Sequence, residues 1–589
     1  MTAIHNGAET FADEALQGLV LAYGRDVRRV DGGVIRAAVR PAGQVGVVLG
    51  GGSGHYPAFA GLVGPGLATG AVCGQVFTSP SAAQAYRVCH AVDAGAGVLL
   101  VYGNYAGDVL HFGIAQRRLL AEGHDVRTVL VTDDIASAPI EERDRRRGIA
   151  GDFVVVKIAG AAAEAGADLD AVERVARKAN RHTRTLGIAI SGCTLPGATE
   201  PLFEVAAGTM SVGLGIHGEA GIEDRPLAPS SELAVLLVDA LLAERVDGGG
   251  PARVALVVNG LGTVKYEELF VLFKDVAGIL AERGVEVVEP EVGELVTSLD
   301  MGGVSVTVCW LDDELETLWR APARGPAFAK TVPGEVDDSV PDVGQWSDAT
   351  VRLPRPSTAE LVAAANDVVA GLELVCATLA EHEEALARLD AVAGDGDHGS
   401  GMVRGARAAL AAGIAAEHQG ADAVLVAAGR AWAEYGAGTS GALWGAGLEA
   451  AGLAANTAGT LNTSTGVQAV GAAVAAIEEL GGARPGDKTM LDAMHPFITT
   501  LTTSSTTESD RPAAEPAGGL GGESVRPAVW VEAAAAAGVA AAATAGLKPR
   551  VGRARPLAEK SFGHPDPGAT SFAIVAMAVA QHLMERSLQ

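Results

Sequence analysis

Apolar positions in the first half of the chain fall into short runs, with helical spacing filling several of the intervals. Val45-Gly-Val-Val-Leu49 is the first clear run. Gly97–Tyr102, Arg127–Val131, Leu186–Ile190, Val254–Val258 and Val304–Trp310 follow. Runs of this length bounded by glycine and polar residues predict buried strands, the first in a mostly parallel sheet ending at its glycines. Between them, segments such as Asp168–Lys178 carry apolar residues at three-and-four spacing and predict helices. Strands alternating with helices argue for α/β layers.

The texture changes between Pro322 and Pro356, where Pro322, Pro326, Pro333, Pro341, Pro354 and Pro356 punctuate a polar stretch without periodicity. Residues 331–356 read as an extended interdomain linker. Ser357-Thr-Ala-Glu360 has the form of a capping box opening a helix. Beyond it Leu361–Leu389 keeps helical spacing, Ala533–Ala545 reads as a packed Ala-rich helix, and no strand is evident. Thr502–Arg526, rich in Ser, Thr, Pro and Gly, reads as a flexible surface loop. The expected architecture is an α/β domain over 1–330, the linker, and an all-helical bundle or barrel over 357–589.

Composition narrows the function classes. With 589 residues, 48% apolar, the chain is globular and too long for one core. A formal charge of −27 argues against nucleic acid or an anionic membrane surface as partner and fits a soluble cytoplasmic protein. Cys73, Cys89, Cys193, Cys309 and Cys376 are scattered and form no Cys-x-x-Cys pair, so neither a disulfide framework nor a thiolate zinc site is expected. The N-terminal run lacks a basic–apolar signal segment.

Polar residues recur just after the strands: His55 after Gly50-Gly-Gly-Ser-Gly54, Asn104 and Asp108 after the second run, Asp133 and Asp134 after the third. Ligands in open α/β sheets bind at such carboxyl ends. The glycine stretch is not a dinucleotide fingerprint, because His55 stands where the third glycine belongs, and no Gly-Lys-Ser/Thr tripeptide exists for a Walker loop. In the helical half, Asp390, Asp395 and Asp397 crowd into eight residues around Gly394 and Gly396. Such hard oxygen ligands on a turn suit Mg²⁺, whereas an EF-hand is excluded by Ala406 at the twelfth position. Gly399-Ser400-Gly401 adds small residues and N–H groups beside the metal and opens a helix over Met402–Leu410. Gly436–Gly441 and Gly563–Ser571 would each serve as a nucleotide-lining loop or as a helix–helix turn. His217, between Gly213-Leu-Gly-Ile and Gly218, is held approachable by its glycines and suits a nucleophile, base or ligand.

Taken together, Gly50-Gly-Gly-Ser-Gly-His55, Asn104-Tyr-Ala-Gly-Asp108, Gly-Leu-Gly-Ile-His217-Gly-Glu, Leu389-Asp with Gly-Asp-Gly-Asp397, Gly438-Thr439-Ser440-Gly441-Ala-Leu443 and the Gly563–Ser571 loop resemble the dihydroxyacetone kinase family. The resemblance spans nearly the whole chain, in the family's order, and is to the ATP-dependent single-chain type. It implies two α/β subdomains in the ketose-binding half and a nucleotide-binding helical half. It further implies that His217 adds to the substrate carbonyl, and that His55 and Asp108 hold and activate the attacking hydroxyl. Gly52, Ser53, Gly54, Ser79 and Asn104 would contact the ketose, and Asp390, Asp395 and Asp397 would hold Mg²⁺ against ATP. His398, Gly399, Ser400, Gly438, Thr439, Ser440, Gly441, Asp566 and Gly568 would line the nucleotide. Relatives are dimers, so a homodimer is implied. Some relatives are flavin-nucleotide cyclases or ketose-sensing coregulators, which are the remoter alternatives.

Two departures bear on the substrate. Tyr56 follows the glycine-triplet histidine where the family commonly has Glu, and Gly103 precedes Asn104 where it commonly has Lys. Loss of an ion pair from both ends would enlarge the pocket, which favours the four-carbon ketose erythrulose over dihydroxyacetone.

Overall fold

The structure is a computed structural model and describes residues 2–245, 252–331, 351–436, 438–509, 526–551 and 555–587. The chain forms two compact units, Met1–Val336 and Asp337–Gln589.

In the first unit α1 (Phe11–Ala22) leads into β1 (Val27–Val30), β2 (Gly33–Arg36), β3 (Gly46–Ser53) and β4 (Gly70–Val76). The alternation α2 (Ala82–Val92), β5 (Val98–Gly103), α3 (Ala106–Ala121), β6 (Val126–Val131), α4 (Gly151–Glu164) and α5 (Leu169–His182) follows. The sheet order is β1-β2-β4-β3-β5-β6, parallel from β4 to β6 and antiparallel at the β1–β2 edge. The expected end of the first strand at Leu49 is corrected: Gly50–Gly52 stay within β3. Their missing side chains let neighbours close on the strand. A Cβ would lie 3.0 Å from the Phe112 ring at Gly50, 2.7 Å from the Phe59 ring at Gly51, and 2.7 Å from the Thr78 amide at Gly52.

A second sheet is built from β7 (Thr183–Ala189), β8 (Thr209–Val212), β9 (Glu223–Pro226), β10 (Ala252–Gly260), β11 (Val285–Val287), β12 (Glu291–Gly293) and β13 (Gly303–Trp310). Its order is β11-β10-β13-β7-β8-β9, with β12 also on β10, and its long pairings are antiparallel. Helices α6 (Ser230–Ala243), α7 (Tyr266–Glu282) and α8 (Asp313–Arg320) complete it. Phe153–Ala163 of α4 are all buried, and one apolar core joins α4 and α5 to side chains of both sheets. A helix apolar all round must be covered on every side, which fixes α4 in the interior. The proline-punctuated stretch does not begin as linker: Ala323–Arg324 and Ala329–Lys330 pair as a small hairpin, with Ala323 and Phe328 buried. Residues 332–350 of the expected linker lie outside the described residues.

The second unit contains α9 (Ala359–Ala363), α10 (Ala365–Asp390), α11 (His398–Ala416), α12 (Ala421–Tyr435), α13 (Gly438–Ala458), α14 (Thr463–Gly481), α15 (Leu491–Ser509), α16 (Pro527–Ala543), α17 (Ala558–Ser561) and α18 (Pro567–Arg586). No strand occurs among its described residues. Three boundaries differ from expectation. Thr358, not Ser357, caps α9, because the Ser357 hydroxyl is engaged by Asp422. Helix α11 begins at His398, four residues ahead of Met402. Thr502–Ser509 is helix and not loop. Thr502 and Thr503 donate to the carbonyls of Ile498 and Thr499 one turn back, so hydroxyls that favour turns serve the helix here. The remainder of that segment, 510–525, lies outside the described residues. The 527–546 segment and α18 are long and apolar enough to cross a membrane by length and composition. The Ala533, Ala534, Ala537 and Ala541 face of α16 is packed in the helical core.

Candidate functional site

The carboxyl ends of β3, β4 and β5 converge on one place, and the second sheet delivers His217 to it. The 295–301 loop holds these parts together. Thr297 and Leu299 donate amides to the carbonyls of His55 and Gly54, and the Ser298 hydroxyl donates to the carbonyl of Ile216. His55 and His217 therefore meet across 162 residues of sequence, with their Nε2 atoms 3.0 Å apart.

Each ring is pinned from behind. His55 Nδ1 lies 2.7 Å from the Thr297 carbonyl oxygen, which can only accept, so Nδ1 carries a proton. His217 Nδ1 lies 3.1 Å from Glu219 Oε1, and the His217 amide donates to Glu219 Oε2 at 3.0 Å. Burial pushes the Glu219 carboxyl up, but these bonds outweigh it and hold the group down at about 2, so it accepts. Burial, reinforced by His217, drives the His55 imidazole down to about 3. His217 is not simply exposed between glycines: Phe77 and Tyr105 stand edge-on to it at 5.2 and 5.0 Å between ring centroids, and Phe77 stacks on His55 at 5.0 Å.

Asp108 lies in the first turn of α3, buried, where the helix N-terminus favours a carboxylate. Burial nevertheless raises it to about 6, against a hydrogen bond from Ser79. Its Oδ1 has no hydrogen-bond partner among the described residues. Ser79 thus stands beside Asp108, Gly52 admits the Phe77–Thr78 backbone, and Gly54 takes a φ of +103° that favours glycine. Two candidates are otherwise engaged. The Ser53 hydroxyl donates to the Gly74 carbonyl at 2.6 Å, and the Asn104 amide donates to the carbonyls of Asp144 and Arg146, bracing a loop.

The two departures have different surroundings. Tyr56 is half-exposed and lies over Gly61, whereas Gly103 is buried between the Tyr105 ring and the Gly148 carbonyl. A Cβ on Gly103 would come within 3.0 Å of the Tyr105 ring, so a side chain there would require the ring to shift.

In the second unit the turn between α10 and α11 gathers Asp390, Asp395 and Asp397, with one carboxylate oxygen of each within 4.8 Å of the others. Asp390 ends α10 and accepts from the Gly396 amide at 2.9 Å, while Gly396 turns the chain at φ +78°. Three carboxylates this close fit a divalent cation with hard oxygen ligands. They line a cavity of about 260 Å³ with His398, Gly438, Thr439, Ser440, Lys488, Asp566 and Gly568. His398 lies 3.1 Å from the Ser571 hydroxyl and 3.4 Å from that of Ser440. Asp566 caps α18 through the Ala569 amide, and burial raises it to about 7.

Gly399, Ser400 and Gly441 are not among the residues lining this cavity. A Cβ on Gly399 would run into the Glu383 carbonyl oxygen of α10, and one on Gly441 into the backbone of Gly436, so both glycines serve close packing. The Ser400 hydroxyl donates to the Asp397 carbonyl. Glu219, Thr297, Tyr105 and Lys488 escaped the sequence reading. Of these, Glu219 and Tyr105 stand inside the sequence motifs, two residues after His217 and one after Asn104.

Residues 17–327 match the Dak1 domain and residues 392–581 the DAK2 domain. An L-erythrulose 1-kinase of Mycolicibacterium smegmatis is 50% identical over 588 residues, covering 99% of this chain and 100% of its own. A D-erythrulose kinase of the same organism is also 50% identical, over 98% of each chain. The dihydroxyacetone kinase from C. freundii in complex with AMP-PNP and Mg²⁺ superposes with a TM-score of 0.59 at 30% identity, covering 98% of this chain and 99% of that one.

Proposed function

The chain belongs to the dihydroxyacetone kinase family, in the form that carries a Dak1 and a DAK2 domain on one polypeptide, and from that premise we propose that it transfers the γ-phosphoryl group of ATP to a terminal hydroxyl of erythrulose. The observation that carries the chemistry is the Glu219–His217–His55 chain. Both Nδ1 atoms face acceptors and hold protons, so two Nε2 atoms approach to 3.0 Å only with one further proton between them. That proton is what addition to a ketone requires. The His217 Nε2 lone pair forms a bond to the carbonyl carbon, the π pair moves to oxygen, and the proton from between the rings passes to that oxygen. The product is a hemiaminal that fixes the ketose, with a neutral hydroxyl and the positive charge on the Nε2-substituted, Nδ1-protonated His217 ring facing Glu219. Glycerol has no electrophilic carbon and is refused by the same step.

Asp108, raised to about 6, is matched to accepting a hydroxyl proton near neutral pH. As the substrate oxygen bonds to the γ-phosphorus, the bond to the β,γ-bridging oxygen breaks, ADP leaves and the proton goes to Asp108. Asp390, Asp395 and Asp397 fit Mg²⁺, which when bound neutralises phosphate charge. Lys488 and the 438–440 segment line the same cavity, suited to a polyphosphate.

The test is ketose-dependent ADP release from the full-length chain with ATP and Mg²⁺. Release with erythrulose and none with glycerol is expected. Equal release with glycerol contradicts the reading.

A further inference from the structure

Asp152, in the first turn of α4, is 5% exposed, and its Oδ1 has no hydrogen-bond partner among the described residues. It forms no ion pair among the described residues. Its acidic neighbour Asp133 is itself satisfied by the amides of Ile149 and Gly151 at 2.9 and 2.7 Å. The two arginines of the adjoining segment are committed elsewhere, Arg146 to Glu244 and Arg147 to Asp134 and Glu219. Burial and the proximity of Asp133 and Asp108 hold the Asp152 carboxyl well above the usual range. A buried polar atom with no partner is costly and calls for a water, an ion or a ligand group to meet it.

The location joins Asp152 to the ketose site. A Cβ on Gly148 would lie 2.6 Å from the Gly103 Cα and 3.0 Å from Asp152 Oδ1, so the carboxyl stands beside the end of β5. The Tyr105 hydroxyl is also buried without a hydrogen-bond partner among the described residues, and Asp152 is among the charges acting on it. Tyr105 in turn stands edge-on to His217, where the ketone carbon would be held. Two buried polar groups without a hydrogen-bond partner among the described residues thus border the Gly103–Gly148 contact: the Asp152 carboxyl lies against Gly148, and Tyr105 lies with its ring between Gly103 and His217.

We propose that Asp152 and Tyr105 form the subsite for the secondary hydroxyl that a four-carbon ketose carries and dihydroxyacetone lacks. The assignment rests on the reading of the chain as an erythrulose kinase. A hydroxyl both donates and accepts, so it satisfies the phenol and the carboxyl at once. Its position also depends on the configuration at that carbon, which makes the pair a discriminator of enantiomers.

The experiment measures kcat/KM of the full-length enzyme and of Asp152→Ala, Asp152→Asn and Tyr105→Phe for D-erythrulose, L-erythrulose and dihydroxyacetone. The ratio of the preferred erythrulose to dihydroxyacetone is expected to fall about tenfold or more in Asp152→Ala, chiefly through KM, with a smaller fall in Tyr105→Phe. A ratio is unaffected by the fraction of folded enzyme, and the near-isosteric Asn variant gives the reading if the Ala variant folds poorly. Unchanged ratios in the Asp152 variants overturn the subsite and leave the kinase reading standing. Wild-type enzyme that turns over dihydroxyacetone but neither enantiomer overturns the erythrulose reading, and the subsite with it.

Discussion

His55 Nε2 and His217 Nε2 lie 3.0 Å apart, although one imidazole follows β3 of the first sheet by two residues and the other sits in a loop of the second. A carbonyl and a carboxylate fix the opposite nitrogens, so the pair is poised as one proton-sharing unit directed at a single point.

That unit predicts a covalent adduct. With ketose labelled with ¹³C at the carbonyl carbon, the enzyme-bound carbonyl resonance should be replaced by that of a tetrahedral carbon. His217→Ala should abolish the new resonance while leaving ATP affinity within about twofold. Glu219→Gln should weaken ketose use more than ATP use, because the carboxylate keeps the Nδ1 proton in place. Persistence of the tetrahedral signal in the alanine variant rules out His217 as the nucleophile.

The pH dependence follows from Asp108. Burial raises its folded pKa to about 6, so the base form is present above that value and is lost as pH falls through it. The ratio kcat/KM should therefore decline on the acid side with a midpoint near pH 6. Asp108→Asn should lower kcat by about 10²-fold or more at neutral pH. A profile that stays flat down to pH 5 removes Asp108 from that role.

The acidic turn makes a separate prediction. Asp395→Asn or Asp397→Asn leaves the α10–α11 turn in place but removes one charge from the triad. The Mg²⁺ concentration for half-maximal rate should rise about tenfold or more, since even outer-shell changes cost that much. Near-normal Mg²⁺ dependence in either variant excludes that carboxylate as a ligand.

Features specified by neighbours in sequence were the ones legible before the structure. The alternation of strands and helices follows from local periodicity, and the Asp390–Asp397 turn follows from carboxylates spaced by glycines. What depended on long-range closure was not. Nothing near Asn104 shows that its amide braces Asp144 and Arg146, and Gly399 reads as a phosphate loop until α10 is seen against it. The erythrulose expectation rested on Tyr56 and Gly103, whose surroundings no local pattern shows. Tyr56 lies over Gly61, and the Tyr105 ring packs against Gly103. Thr502–Ser509 was misread because hydroxyl-rich composition signals turns, while the helix is set by Leu501 and the core beneath it.

The most direct test of the account is kcat/KM of the wild-type enzyme with ATP for D-erythrulose, L-erythrulose and dihydroxyacetone, measured side by side. At least one erythrulose enantiomer should exceed dihydroxyacetone by about tenfold or more, the discrimination available to a site that bonds one added hydroxyl. A preference for dihydroxyacetone over both enantiomers contradicts the assignment.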